Sequence, residues 1–344
     1  MRKTIGVILL AFLTMIPLGT SWAYFINVQG QSSLKKEAVI ATVNVGRYPH
    51  GVAVNEETNR VYVANFNEGS ISIIDGTTNE VIDTIKVGKG PRDVTVNAQT
   101  NRLYVANIGL HDMSAINSKI LPWVGLRLYW AKFAVSVIDG HTNETLVHVS
   151  VGTNPWIIEA SETTNRIYVA NYGSYSVSVI DGESNEVIAT IGMGLFRTPV
   201  GPLDIGAGRL LIVDGDTNKV LSTLRVGCKA HVAVNERTNR VYVTSRHSGT
   251  LSVIDGRTKE VIATFDVGPD PYGLAVNEEA NRIYVANHDG NSVWVIDGHS
   301  NEVLYTIGVE ASPVFVAVNE ATGRVYVTNS GDDTVSVLES LILE

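Results

Sequence analysis

The chain has 344 residues, 44% hydrophobic and 18% charged, which is ordinary globular composition with ample material for a core. Its formal charge of −9 argues against a general role on nucleic-acid phosphates. The single cysteine, Cys228, excludes an intramolecular disulfide, so stability must come from packing and strand pairing.

Arg2 and Lys3 open the chain, Ile5 to Leu18 is an apolar run broken by Pro17, and Ser21-Trp22-Ala23 offers small residues around a cleavage point. Residues 1–23 therefore read as a secretory signal, and the protein as exported: periplasmic, cell-surface or extracellular. An uncleaved anchor is the alternative, since Thr4 to Ala23 is just long enough to span a bilayer. No second apolar run follows. Loss of the signal removes two bases and no acid, leaving 24 basic and 35 acidic residues, a net −11. Residues 24–36 read as a linker.

From residue 37 the chain repeats. Asp-Gly pairs at Asp75, Asp139, Asp181, Asp214, Asp255 and Asp297 are spaced by 64, 42, 33, 41 and 42 residues. A period near 42 carrying four strands is the mark of a propeller blade. In the first unit the strands are His50–Asn55 (A), Arg60–Asn65 (B), Ser70–Asp75 (C) and Glu80–Ile85 (D), rich in Val, Ile, Tyr and Thr between Asn, Asp and Gly turns. Strand A begins seven times, around Val52, Val94, Ile157, Ile205, Val232, Leu274 and Val316. The last unit lacks strand D, and Glu37–Val43, a near-copy of Glu186–Ile191, is expected to supply it and close the ring. The expectation is an all-β, seven-bladed β-propeller over residues 37–339 with a tail at 340–344. Blade 2 carries 22 extra residues between strands B and C, and blade 4 is short, with its strand B lost.

The motif YVTN stands at Tyr326–Asn329, with YVAN at Tyr62, Tyr104, Tyr168 and Tyr284 and YVTS at Tyr242. With the VIDG-TNEVIATI text after strand B, these residues resemble the YVTN-repeat β-propeller family over residues 37–339. The resemblance implies an exported or surface propeller. Such propellers include surface-layer components, periplasmic binding proteins and subunits of larger enzymes, and similar seven-bladed rings serve as lactonases and lyases, so fold does not choose the activity.

Strand alternation puts the D–A and B–C loops at one end and the A–B and C–D loops at the other. The second end is uniform, which points to structure. Arg60, Arg102, Arg166, Arg240, Arg282 and Arg324 each open a strand B, Asp75, Asp139, Asp181, Asp255 and Asp297 each close a strand C, and in-blade Arg–Asp pairing is expected. The Asn of each YVAN is expected to cap its own turn. The first end varies, and its candidate ligand-binding residues are His50, Arg92, Trp156 and His231, with Arg246, His247, Tyr272 and His288. The histidines offer a metal or a general base as one alternative, placed at His50, His231, His247 and His288. No cofactor is otherwise expected. Trp123, Tyr129, Trp130 and Phe133 make the blade-2 insertion apolar and basic, a candidate docking surface or lid. No Gly-x-Ser-x-Gly, His-Glu-x-x-His or phosphate loop occurs.

The leading expectation is a non-enzymatic binding or scaffold module with a protein partner, a cell-surface component or a small ligand. The alternatives are a lactonase- or lyase-type propeller enzyme with its site at the channel mouth, and single-stranded nucleic acid binding through Arg92, Arg246 and Trp156, which the charge disfavours.

Overall fold

A computed structural model describes residues 5–10, 39–109, 133–192, 209–214, 217–226 and 230–339. The architecture is an all-β propeller of antiparallel four-stranded blades. Two strands precede the repeats, β1 (Ile5–Leu10) and β2 (Val39–Asn44). The chain then divides into two units, residues 45–194, and residues 195–344 together with 1–44.

The unit of residues 45–194 holds three blades. The first is β3 (Pro49–Asn55), β4 (Arg60–Asn65), β5 (Ser70–Asp75) and β6 (Glu80–Lys86). The second is β7 (Pro91–Asn97), β8 (Arg102–Asn107), β9 (Ala134–Asp139) and β10 (Thr145–Ser150). The third is β11 (Pro155–Ser161), β12 (Arg166–Asn171), β13 (Ser176–Asp181) and β14 (Glu186–Gly192).

The other unit begins with β15 (Arg209–Asp214) and β16 (Val220–Arg225). A blade of β17 (Ala230–Asn235), β18 (Arg240–Ser245), β19 (Thr250–Asp255) and β20 (Val261–Asp266) follows. The next is β21 (Pro271–Asn277), β22 (Arg282–Asn287), β23 (Ser292–Asp297) and β24 (Val303–Gly308). The last contains β25 (Pro313–Asn319), β26 (Arg324–Asn329) and β27 (Thr334–Glu339), and β2 is its fourth strand, pairing antiparallel with β27.

The described residues thus form six four-stranded blades where seven were expected. The region read as a truncated fourth blade contributes only β15 and β16 to a three-stranded sheet. Its third strand is β1, from the segment read as an export signal. The expected strand around Ile205 lies outside the described residues, as do the linker 24–36 and the tail 340–344.

The repeated text folds this way because each turn has its own chemistry. Asp75 Oδ1 accepts the amides of Thr77 (2.8 Å) and Thr78 (3.0 Å), closing the C–D turn, and Asn79 takes the left-handed backbone (φ 59°) that Asn tolerates. Asn59 does the same in the A–B turn (φ 49°). Strand B and C residues alternate between the two faces of each sheet, and both faces are buried. Leu103, Val105 and Ile138 of the second blade pack with Tyr62, Ile71 and Ile73 of the first. Tyr104, Val135 and Val137, pointing the other way, pack with Ile158, Ile167 and Val169 of the third. Each such buried aliphatic side chain contributes about 1.5–3 kcal/mol.

Two structural expectations need correction. Arg282 makes the expected in-blade ion pair with Asp297. Arg60 and Arg240 instead donate to the carbonyls of Gly140 (3.1 Å) and Gly298 (2.7 Å) in the next blade, and Arg102 to that of Gly182. These carbonyls sit in the Asp-Gly turns. The Asn ending strand B does not cap its own turn. Asn65 Nδ2 donates to Ser70 Oγ (3.1 Å) and Ser72 Oγ (2.9 Å) on strand C, and Asn171 and Asn329 repeat the pattern.

Candidate functional site

The variable loop end is built on one backbone frame. The residue before the Pro that opens strand A is left-handed: Tyr48 (φ 56°), Gly90 (63°), Asn154 (54°), Asp270 (53°) and Ser312 (55°). Its carbonyl accepts the amide of the first B–C loop residue: Phe66 to Tyr48, Ile108 to Gly90, Tyr172 to Asn154, His288 to Asp270 and Ser330 to Ser312, at 2.9–3.1 Å. A register shift follows each Pro at the start of β3, β7, β11, β21 and β25, and the residue after the Pro is where the sequence varies. Bulges of this kind re-aim side chains. Because the frame is constant, whichever side chains occupy it are brought together.

In residues 45–194 the frame assembles aromatic rings around one cation. The Arg92 guanidinium lies 3.5 Å from the Trp156 ring centroid and 6.0 Å from that of Phe66. Trp156 lies 5.6 Å from Tyr172, and Phe66 is 5.9 Å from Tyr48 and 6.4 Å from His50. Arg92 is buried, so its contact with Trp156 is in the strong, desolvated regime of about 2 kcal/mol. Beside it, Asp93 accepts the amides of Val94 and of Ile158 on the neighbouring blade, both at 3.0 Å. Burial nevertheless pushes its carboxyl up to about 7. Glu159 is raised to about 7 as well, first by the crowding of protein around it and then by the charge of Asp93, although its side chain keeps contact with solvent.

In residues 230–339 the frame positions Asp270, Tyr272 and His288, and Arg246 joins them from the loop after β18 to make a charged group. Arg246 holds both oxygens of Asp270 and lies 4.6 Å from the Tyr272 ring centroid. His288 Nδ1 faces Asp289 Oδ1 at 2.9 Å and Asp270 Oδ2 at 3.4 Å. Burial alone would raise the Asp270 carboxyl, but the hydrogen bonds from His288 and Arg246 and their charges outweigh it and hold it at about 2. The bond to Asp270 leads in raising the His288 imidazole. His231, buried, packs 4.9 Å from both Tyr272 and Phe315. Its amide donates to Thr244 Oγ1 (3.2 Å), which in turn donates to the Tyr272 carbonyl (2.9 Å) and ties the two blades.

Of the four histidines named from sequence, three lie in residues 230–339 and His50 lies in residues 45–194. His231 and His288 both lie near Tyr272, and His247 is exposed. The group able to offer metal ligands among the described residues is Asp270, His288 and Asp289, whose ligand atoms lie within 4.8 Å of one another, and Arg246 already occupies Asp270. Sequence reading singled out Arg246, Tyr272 and His288 but missed Asp270. The signal was its place before the Pro of strand A, equivalent to Tyr48 and Asn154. Glu159 was missed because it lies within a strand. Trp123, Tyr129 and Trp130 fall outside the described residues. Phe133 stands just before β9, and its carbonyl accepts the Val151 amide (3.4 Å).

The NHL repeat family model matches residues 47–74, which cover the first three strands of the first blade. A solved structure, Kuenenia stuttgartiensis Hydrazine Synthase, is similar in fold, with a TM-score of 0.71 at 15% identity over 92% of this chain and 99% of that one. No curated protein matches the chain. The family match covers one blade's text, and the structural likeness shows a shared fold.

Proposed function

We propose that the protein is an exported, non-enzymatic β-propeller that binds a protein or cell-surface partner through its D–A and B–C loop end. The YVTN text at Tyr326–Asn329 and its copies extends this reading to that family of exported propellers. The NHL-repeat match supports a protein-binding or scaffold module. The observation that carries the reading is an arginine held against aromatic rings at this loop end in each unit: Arg92 against Trp156 in one, Arg246 against Tyr272 and Asp270 in the other. Aromatic and arginine side chains held rigidly at a loop end are the composition of binding hot spots. Cross-linking of the protein in envelope extract, read by mass spectrometry, tests it. Partner cross-links should map to the strand-A starts and B–C loops. Cross-links confined to the Asp-Gly turns would contradict the reading.

A second reading, a metal at Asp270, His288 and Asp289, rests on their donor geometry. Arg246→Ala releases Asp270, so on this reading Zn2+ titration calorimetry shows tighter uptake in the variant than in the native protein. Equal heats would remove it.

A further inference from the structure

We infer that the edge of β15 is a strand-acceptor site, and that Ile5–Leu10 is the strand it takes. Six consecutive residue pairs join β1 to β15 in antiparallel register, from Ile5 opposite Asp214 to Leu10 opposite Arg209, without a bulge. On its other side β15 pairs with β16, as each strand C pairs with its strand D. β1 therefore stands where strand B stands in every four-stranded blade.

A second relation agrees. In the complete blades strand B lies beside strand A of the following blade: β4 by β7, β8 by β11, β18 by β21, β22 by β25. β1 lies beside β17, the strand A that follows β16. One segment thus satisfies both positional criteria of a missing strand B, in the one repeat whose sequence lacks it.

The physics favours an occupant. An open strand edge leaves a row of amides and carbonyls unpaired, and an apolar strand laid on it satisfies them. With β1 in place, Leu210, Ile212 and Val213 of β15 are buried to within 1%. The text of β1, IGVILL, is β-forming and carries no charge or proline. The inference is independent of the proposed binding role. Processing after Ala23 would vacate the edge and leave it open to another uncharged, apolar strand.

Amide hydrogen exchange on the full chain, read residue by residue, tests it. Alternate amides of Ile5–Leu10 should exchange far more slowly than free peptide, because an antiparallel partner engages every second amide. In Val7→Pro, which breaks the ladder at its centre, the β15 amides directed at β1 should exchange on the order of tenfold faster. Those directed at β16 should hold their rate. Adding the peptide Thr4–Phe12 to this variant should restore the lost protection. Free-peptide exchange of Ile5–Leu10 in the native chain would overturn the inference, even if the variant failed to fold. So would identical β15 exchange in native and variant chains.

Discussion

Asp270 shows how a single backbone position can create chemistry. Its left-handed conformation ahead of Pro271 turns the carbonyl to the His288 amide, and the two side chains are then neighbours. Since the bond to Asp270 leads in raising the imidazole, Asp270→Asn should bring the His288 titration back toward the ordinary histidine range, read by NMR of the ring protons. No shift between native and variant would show that Asp289 alone sets it. Asp93 acts in the opposite sense. A carboxyl raised from 3.8 to about 7 favours the folded state while protonated. Its contribution is complete below its ordinary range and is lost as pH climbs toward 7. Thermal stability should therefore fall between about pH 4 and pH 7 in the native protein, and Asp93→Asn should flatten that fall. The variant also starts lower, because an amide cannot accept from both Val94 and Ile158. A profile as steep as the native one would assign the fall elsewhere.

At the scale of the strand, most of the fold was legible. Arg60–Asn65 and Ser70–Asp75 are strands with the bounds read from sequence, since alternation and turn residues fix both ends. Glu37–Val43 was expected to join the last unit, and Val39–Asn44 does pair with Thr334–Glu339. The Arg partners were not legible. Choosing a glycine carbonyl over an acid is decided by the distance between neighbouring blades, which no single repeat encodes. That distance also explains Gly51. A methyl group there would lie 2.6 Å from the Asp93 Cα on the next blade, and Gly273 has the same relation to Val314 and Phe315. Gly51→Ala should cost about 1–3 kcal/mol by overpacking, measured by denaturant unfolding. An unchanged midpoint would mean the two blades can part without cost.

For the whole molecule, the repeat predicted seven blades with the fourth truncated, and the described residues hold six four-stranded blades, with a three-stranded sheet where the fourth was expected. The loss of strand text in the fourth repeat was legible, but not that its third strand is Ile5–Leu10, from a segment whose apolar run reads as a leader. The candidate site was legible as a set of loop positions but not as two clusters. Asn, Tyr and Asp before proline look unrelated until the backbone shows them to be equivalent. The central claim is that binding belongs to the variable loop end and stability to the uniform end. Capture of partners from envelope extract tests it most directly, comparing the native protein with Arg92→Ala/Trp156→Ala and with Asp75→Ala. The native protein and Asp75→Ala should retain the same partners, and the double variant should lose them. Retention by the double variant, with loss in a folded Asp75→Ala protein, would contradict it.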